Sequence, residues 1–406
     1  MPAQRATEET ISRVARNAYG RLVATLAAGT RDLAKAEDAL ADALEKALIR
    51  WPKDGVPDAP EAWLLTAARR GFIDKVRREQ TADKAMPDLT FQYLERLADQ
   101  QEKSGWPLPD PRLKLLFVCA HPAIDQPVHA PLMLQTVLGL TADAIAPLFL
   151  VPVSTMSQQL VRAKRKIKTA HIPFVIPEGD QIPERLPGVL DAIYAAFAAG
   201  LEGRDETLMD EAVYLADLCT SLLPQEGEPK GLLALCLYQR ARFGADRNDD
   251  DQFVPLSDQD IRRWHPDTIE RAETALRAAS QCGPRGRYQL EAAIQSAHIH
   301  GVRKNTSVAD KIVHLYEQLL ILAPSVGGTV SFAAAILAKE DPKTALAVLD
   351  DISEKAAPYQ PYWATRGAVL EALGEKALAQ EAVKKALSLT KDPALERYLK
   401  EKIASI

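Results

Sequence analysis

The sequence predicts an all-α chain, and three observations predict it. Apolar residues recur at three- and four-residue spacing through most of the 406 residues, the period of a helix with one buried face. Alanine, leucine and arginine dominate, while β-branched runs alternating with polar residues are scarce. Prolines gather in "PKDGVPDAP", "GWPLPDP" and "IPFVIPEGDQIPERLPG", where they separate helical stretches. At this length one small core does not suffice, and two or three domains are expected.

Residues 8–79 read as a first helical domain. Its first helix runs through "ISRVARNAYGRLVATLAAGT" and its second through "DLAKAEDALADALEKALIRW", with Asp32 as N-cap. Leu33, Leu40, Leu44 and Leu48 are expected on the core side of the second helix, and Asp38, Asp42 and Glu45 at i, i+4 and i+7 on another face. "PKDGVPDAP" ends that helix in a loop. In the third helix, "EAWLLTAARRGFIDKVRRE", Leu65, Ala68, Phe72 and Val76 form the expected core stripe. Trp63, Arg70, Arg77 and Arg78 lie opposite, with Asp74 among them. An aromatic beside arginines suits backbone contact and base stacking on opened strands, though Trp63 equally suits packing over the preceding loop.

Residues 80–111 are polar and proline-rich, a linker around at most one short helix. Residues 112–171 form a second helical domain that ends in "LTADAIAPLFLVPVSTMSQQLVRAKRKIK". Thr141 caps a short brace that contains Pro147, where a missing donor predicts a kink. "LVP" turns the chain into a helix with Val153, Met156, Leu160, Ala163 and Ile167 on one side. Ser154, Ser157, Gln158, Val161, Arg162, Arg165 and Lys168 fall on the other. A braced helix of this kind is a helix–turn–helix, whose second helix enters the major groove by its N-terminal end. Hydroxyls and Gln158 suit base edges, Val161 a thymine methyl, and Arg162, Arg165 and Lys168 phosphate or guanine. The plainer alternative is a solvated cationic helix end favoured by its dipole.

Residues 172–185 read as an extended strap and 186–406 as a third helical part. Trp363, Gly367, Leu370, Gly374, Ala379, Val383 and Ala386 stand at tetratricopeptide spacing. One period of about 34 residues earlier lie Ala333, Ile336, Ala345 and Leu349, so two stacked helical hairpins are expected there.

Charge divides unevenly. Residues 1–172 hold 24 Lys and Arg against 20 Asp and Glu, a net of +4; the remainder holds 26 against 35, a net of −9, together the −5 of the whole chain. A basic front half suggests a nucleic-acid module joined to a part employed differently. The four cysteines, Cys119, Cys219, Cys236 and Cys282, form no CxxC pair and read as buried thiols of a reducing compartment. No signal-peptide core and no stretch of membrane-spanning length is visible, so a cytoplasmic protein without membrane contact is expected. "CAHPAIDQPVH" fits no usual zinc pattern, and "NDDDQF" lacks the glycine and glutamate of a calcium loop. "RRWH" reads as a core corner rather than a pocket. No nucleophile–base pair or phosphate-cradling loop stands out, so no catalytic residue, metal, cofactor or enzymatic activity is expected.

The order of these blocks resembles the bacterial extracytoplasmic-function (ECF, group IV) sigma factors. "RLKLLFVCAHPAI", "PLSDQDIRRW" and "GRYQLEAAIQSAH" resemble the subgroup with a long tetratricopeptide-like C-terminal extension. The resemblance implies a subunit that gives core RNA polymerase its promoter specificity. By position it assigns polymerase binding to Asp38, Asp42 and Glu45. It assigns −10 DNA to the loop Lys53 to Pro60, with Asp54 and Gly55, and to Trp63, Arg70, Lys75, Arg77 and Arg78. The −35 element falls by position to Ser154, Thr155, Ser157, Gln158 and Arg162, and the helix face adds Val161, Arg165 and Lys168. An acidic stripe complements a basic docking helix, and a loop of fixed proline geometry holds an extruded base at lower ordering cost. Promoter DNA and core polymerase are thus the expected partners, with a regulatory protein or peptide at residues 186–406. The alternative is a one-component helix–turn–helix regulator with a repeat-type sensor, acting without polymerase.

Overall fold

The computed structural model describes residues 11, 18–30, 32–80, 111–149, 151–174 and 181–406. Among these the chain is all-α, with no strand and one isolated antiparallel bridge, Arg247 to Phe253. No single described helix is long and apolar enough to cross a membrane. The linker expected over 80–111 lies almost wholly outside the described residues. The chain forms two units, residues 1–208 and 209–406.

In the first unit, helical residues 18–30 (α1) precede α2 (Leu33–Asp54). Asp32 caps α2 as expected, its carboxylate accepting the Lys35 N–H at 3.3 Å. The buried stripe is Leu33, Ala36, Leu40, Ala43, Ala47 and Trp51. Leu48 is 49% exposed, not core, because at 100° per residue it stands about 95° from the middle of that stripe. The expected break at Pro52 comes later. A proline in the last turn forfeits one bond, and α2 runs on to Asp54, where Gly55, at φ 86°, donates its N–H to the Trp51 carbonyl. Lys53 and Asp54 are therefore helical, and the loop is shorter than the sequence suggests.

Helix α3 (Pro60–Gln80) turns Leu64 and Ala68 fully inward and leaves Leu65 and Phe72 half-buried, so its core stripe is rotated from the expected one. After α4 (Pro111–Cys119) and α5 (Gln126–Leu138), the brace is α6 (Ala142–Ile145) continued as a 3₁₀ turn, Ala146–Phe149. Thr141 caps it, and Pro147, which has no N–H, sits in the tightened part. Helix α7 (Val153–Thr169) follows. The strap expected over 172–185 ends at Gln181, where α8 (Gln181–Glu202) begins. Its Leu186, Val189, Leu190, Ile193 and Phe197 are buried as α8 packs on α5 and α4. Arg185, 6% exposed, donates to the Phe117 carbonyl. Residues 186–202 thus complete the core of the first unit.

The second unit comprises α9 (Glu206–Leu222), α10 (Gly227–Ala241), α11 (Pro266–Ala279), α12 (Arg287–Lys304), α13 (Ala309–Leu322), α14 (Val326–Leu337), α15 (Pro342–Asp350), α16 (Ser353–Ala356), α17 (Gln360–Ala372), α18 (Lys376–Leu389) and α19 (Pro393–Ser405). The two expected hairpins are α14–α15 and α17–α18. Ala333, Ile336, Ala345 and Leu349 are buried in the first, and Gly367, Leu370, Ala379, Val383 and Ala386 in the second. Trp264 of "RRWH" is a core corner, 5% exposed, with its Nε1–H on Gln259. "NDDDQF" is a fastening. Arg247 pairs with Asp392, Arg397 donates to the Asp251 carbonyl and carboxylate, and Phe253 meets Tyr398 edge-on at 5.4 Å.

Helices α10 and α12 touch backbone to backbone. The Glu228 carboxylate accepts the N–H groups of Tyr288 and Gln289 at 3.0 and 3.1 Å, capping α12 from a neighbouring helix. A Cβ on Gly231 would lie 2.6 Å from the Gln289 nitrogen. Gly231→Ala is therefore expected to cost about 1–3 kcal/mol. The check is the thermal midpoint of the full chain, and an unchanged midpoint would refute the close approach.

Candidate nucleic-acid interface

The axes of the brace and α7 meet at 107°, within the range of a helix–turn–helix. Met156, Leu160, Ala163 and Ile167 are buried as the period requires, whereas Val153 opens the helix and is 41% exposed. On the outer face Ser154, Thr155, Gln158, Val161, Arg162 and Arg165 are exposed, and Ser157 is half-buried. Among the described residues no carboxylate pairs with Arg162 or Arg165.

Lys168 is placed differently from its neighbours. Its ammonium lies 2.9 Å from the Asp32 carboxylate, so the acid that caps α2 also holds the base of α7. One turn earlier Lys164 reaches Glu37 at 2.6 Å, with both side chains only 15% exposed. Burial raises the Glu37 carboxyl above its ordinary range, and Lys164 pulls it back. No sequence signal marked this pair, because its members are 127 residues apart.

On the α2–α3 layer, Asp38, Asp42 and Glu45 are all exposed, as are Arg70 and Lys75. The two sets meet, since Lys35, Asp38, Asp42 and Lys75 line one cleft between α2 and α3. Asp54 and Gly55 are exposed at the turn between the helices. Trp63 is half-buried with its ring edge-on to Trp51, centroids 5.4 Å apart. Its partner is a residue of α2 rather than of the preceding loop, over which packing was the alternative expected. The side chains of Arg77 and Arg78 lie outside the described part. Two features escaped the sequence reading. Leu48 and Ile49 form an exposed apolar pair beside Glu45. Arg69 has its Nε and Nη2 buried without a hydrogen-bond partner, and burial lowers its pKa.

The histidine–cysteine stretch serves packing. Cys119 Sγ lies 3.5 Å from the Thr136 hydroxyl, and burial pushes its thiol up to about 12. The His129 Nε2–H donates to the Ile124 carbonyl. Among the described residues no group of three potential ligands gathers. Cys219 and Cys236 are buried as expected, but Cys282 is half-exposed and receives the Lys230 ammonium at 3.2 Å.

Residues 13–82, which include α1 to α3, match the family model described as Sigma-70 region 2. Residues 185–280, from α8 through α11, match a family of unknown function (DUF6596). No solved structure matches the chain. The uncharacterized protein R00370 of Rhizobium meliloti (strain 1021) is 34% identical over 380 residues, covering 91% of this chain and 89% of the relative. A sigma-70 region 2 brings with it core RNA polymerase and promoter DNA as partners and a sigma-factor-like role in transcription initiation. The region-2 match supports a sigma-70 family factor, and over nearly its whole length the chain belongs to one family with that Rhizobium protein.

Proposed function

We propose that the protein is a sigma factor of the extracytoplasmic-function type whose tetratricopeptide-like C-terminal part modulates its activity. In this reading Asp38, Asp42 and Glu45 dock on core polymerase. The turn at Asp54 and Gly55, with Trp63, Arg70, Lys75, Arg77 and Arg78, engages the −10 element. The outer face of α7 reads the −35 element, and the helical array of the second unit receives a regulatory protein or peptide. The carrying observation is that the region-2 match is followed by a braced helix whose outer face presents Arg162 and Arg165 with no carboxylate against them.

The test is transcription and core binding with purified bacterial core polymerase. Replacing both Arg162 and Arg165 with alanine removes two contacts of about 1–3 kcal/mol each. Promoter retention is expected to fall at least about 30-fold while core binding stays unchanged. A shortened chain that reports on modulation has to end after Leu208. One ending near Ile176 strips α8 from the first core. Failure of both forms to bind core, with DNA binding by the free protein intact, would replace this reading with a regulator that acts without polymerase.

A further inference from the structure

At the end of α10 a half-buried guanidinium has no acid to pair with among the described residues. Arg242 directly follows α10. Its Nε donates to the Tyr238 carbonyl at 3.4 Å and its Nη2 to Gln295 Oε1 on α12. Both acceptors are neutral, and among the described residues no carboxylate forms an ion pair with it. Other arginines of the unit do meet acids. Arg240 pairs with Asp210, Arg247 with Asp392, Arg287 with Glu291 and Arg366 with Asp350.

The surroundings keep the charge uncompensated. His298 lies three residues beyond Gln295 on the same face of α12. Burial and the nearby guanidinium hold its imidazole neutral, down to about 4. Burial alone lowers Arg242 to about 10. The nearby Ser296 hydroxyl is turned to Glu273 at 2.8 Å. The chain beyond Arg242 is pinned back where the His265 N–H meets the Ala241 carbonyl at 2.9 Å. Arg242, Gln295 and His298 are all half-buried, so the guanidinium is packed against protein and still reachable from solvent. A cation withdrawn from water is costly unless an anion answers it. A planar guanidinium fork flanked by an amide and a neutral imidazole suits the geometry of an oxyanion.

We propose that Arg242, Gln295 and His298 form a binding site for an oxyanion ligand, a carboxylate or phosphate group. The guanidinium supplies the charge and the fork, Gln295 holds it in place, and His298 offers one further hydrogen bond. The site lies wholly within the second unit, so it stands independently of the promoter-reading assignment. An arginine that merely complements the C-terminal dipole of α10 responds to no particular anion, and this separates the two roles.

The test is thermal unfolding of the full-length protein at constant ionic strength, with sodium chloride replaced stepwise by sodium phosphate or by sodium acetate. At least one of the two anions is expected to raise the midpoint by about 2–4 °C over chloride. The larger response tells a phosphate from a carboxylate ligand. Arg242→Gln abolishes the rise, and Arg262→Gln, an exposed arginine of the same unit, keeps it. If Arg242→Gln does not fold, His298→Ala leaves the end of α10 untouched and is expected to reduce the rise by at least half. An equal rise in wild type and the Arg242 or His298 variant would be a general salt effect and would overturn the site. So would a wild-type chain that shows no rise over chloride.

Discussion

Replacing Lys164 with methionine is expected to destabilise the first unit by about 2–4 kcal/mol, since removing one member of a buried pair strands the other. The estimate sits below the fully buried case because Lys164 and Glu37 each keep 15% exposure. Hydrogen exchange on the full chain reads it directly. Amides of α2 and α7 that open with the unit should exchange about 30- to 1,000-fold faster, while those of α17 stay as they were. The pH dependence has a definite sign. The Glu37 carboxyl titrates above its ordinary range even with Lys164 present, and higher still without it. The folded variant then holds a proton where the unfolded chain has released it. That contribution is complete below the unfolded pKa and is lost as pH rises through the folded one. The deficit is therefore widest near neutrality and narrows on acidification. A deficit flat with pH would show that another contact is responsible.

Gly20→Ala is expected to act with comparable force at the seam where α1 meets α5 in the same unit. A methyl there would overlap the backbone carbonyl of Val137 at the end of α5. Backbone cannot swing aside as a side-chain tip can, so α1 has to withdraw. Tyr19, whose ring lies against Gly139, moves with it. A cost of about 3 kcal/mol corresponds to a midpoint lower by about 6–12 °C. Gly71→Ala is the matched control. The nearest atom to its new methyl is the mobile Lys46 ammonium at 3.3 Å, and alanine is the better helix former. That variant should melt no lower than wild type. Equal losses in the two variants would assign the effect to helical glycines in general rather than to the seam.

These two sites show where the sequence stops being informative. The helix class, the Asp32 cap, the buried face of α7 and both C-terminal hairpins follow from local period and capping chemistry, and the structure has them. Period is less exact about rotation. Leu65 and Leu48 were expected inside, but packing turned Leu64 in and left Leu48 out, because several helical stripes of similar apolarity compete and only the neighbouring helix decides. Pairings across sequence are invisible in a single chain. Nothing in "AKAEDAL" tells that Glu37, rather than Asp38, will meet a lysine of α7. The docking of α8 on α5 was hidden for another reason. The prolines before it look like a strap, and two of them, Pro183 and Pro187, lie within the helix itself. The exposed outer face of α7 was legible because exposure, like burial, is written in local spacing.

The fastening of residues 247–253 to α19 changes how the second unit comes apart. In an open array each hairpin leans only on its neighbours, so the ends peel away first and the middle lasts longest. Here Arg247 and Asp392 join points 145 residues apart, and the last helix cannot peel without releasing a loop near the beginning. Loss becomes shared rather than sequential. During synthesis the consequence runs the other way: the loop waits without its partner until α19 has left the ribosome, so the unit acquires its full rigidity only then.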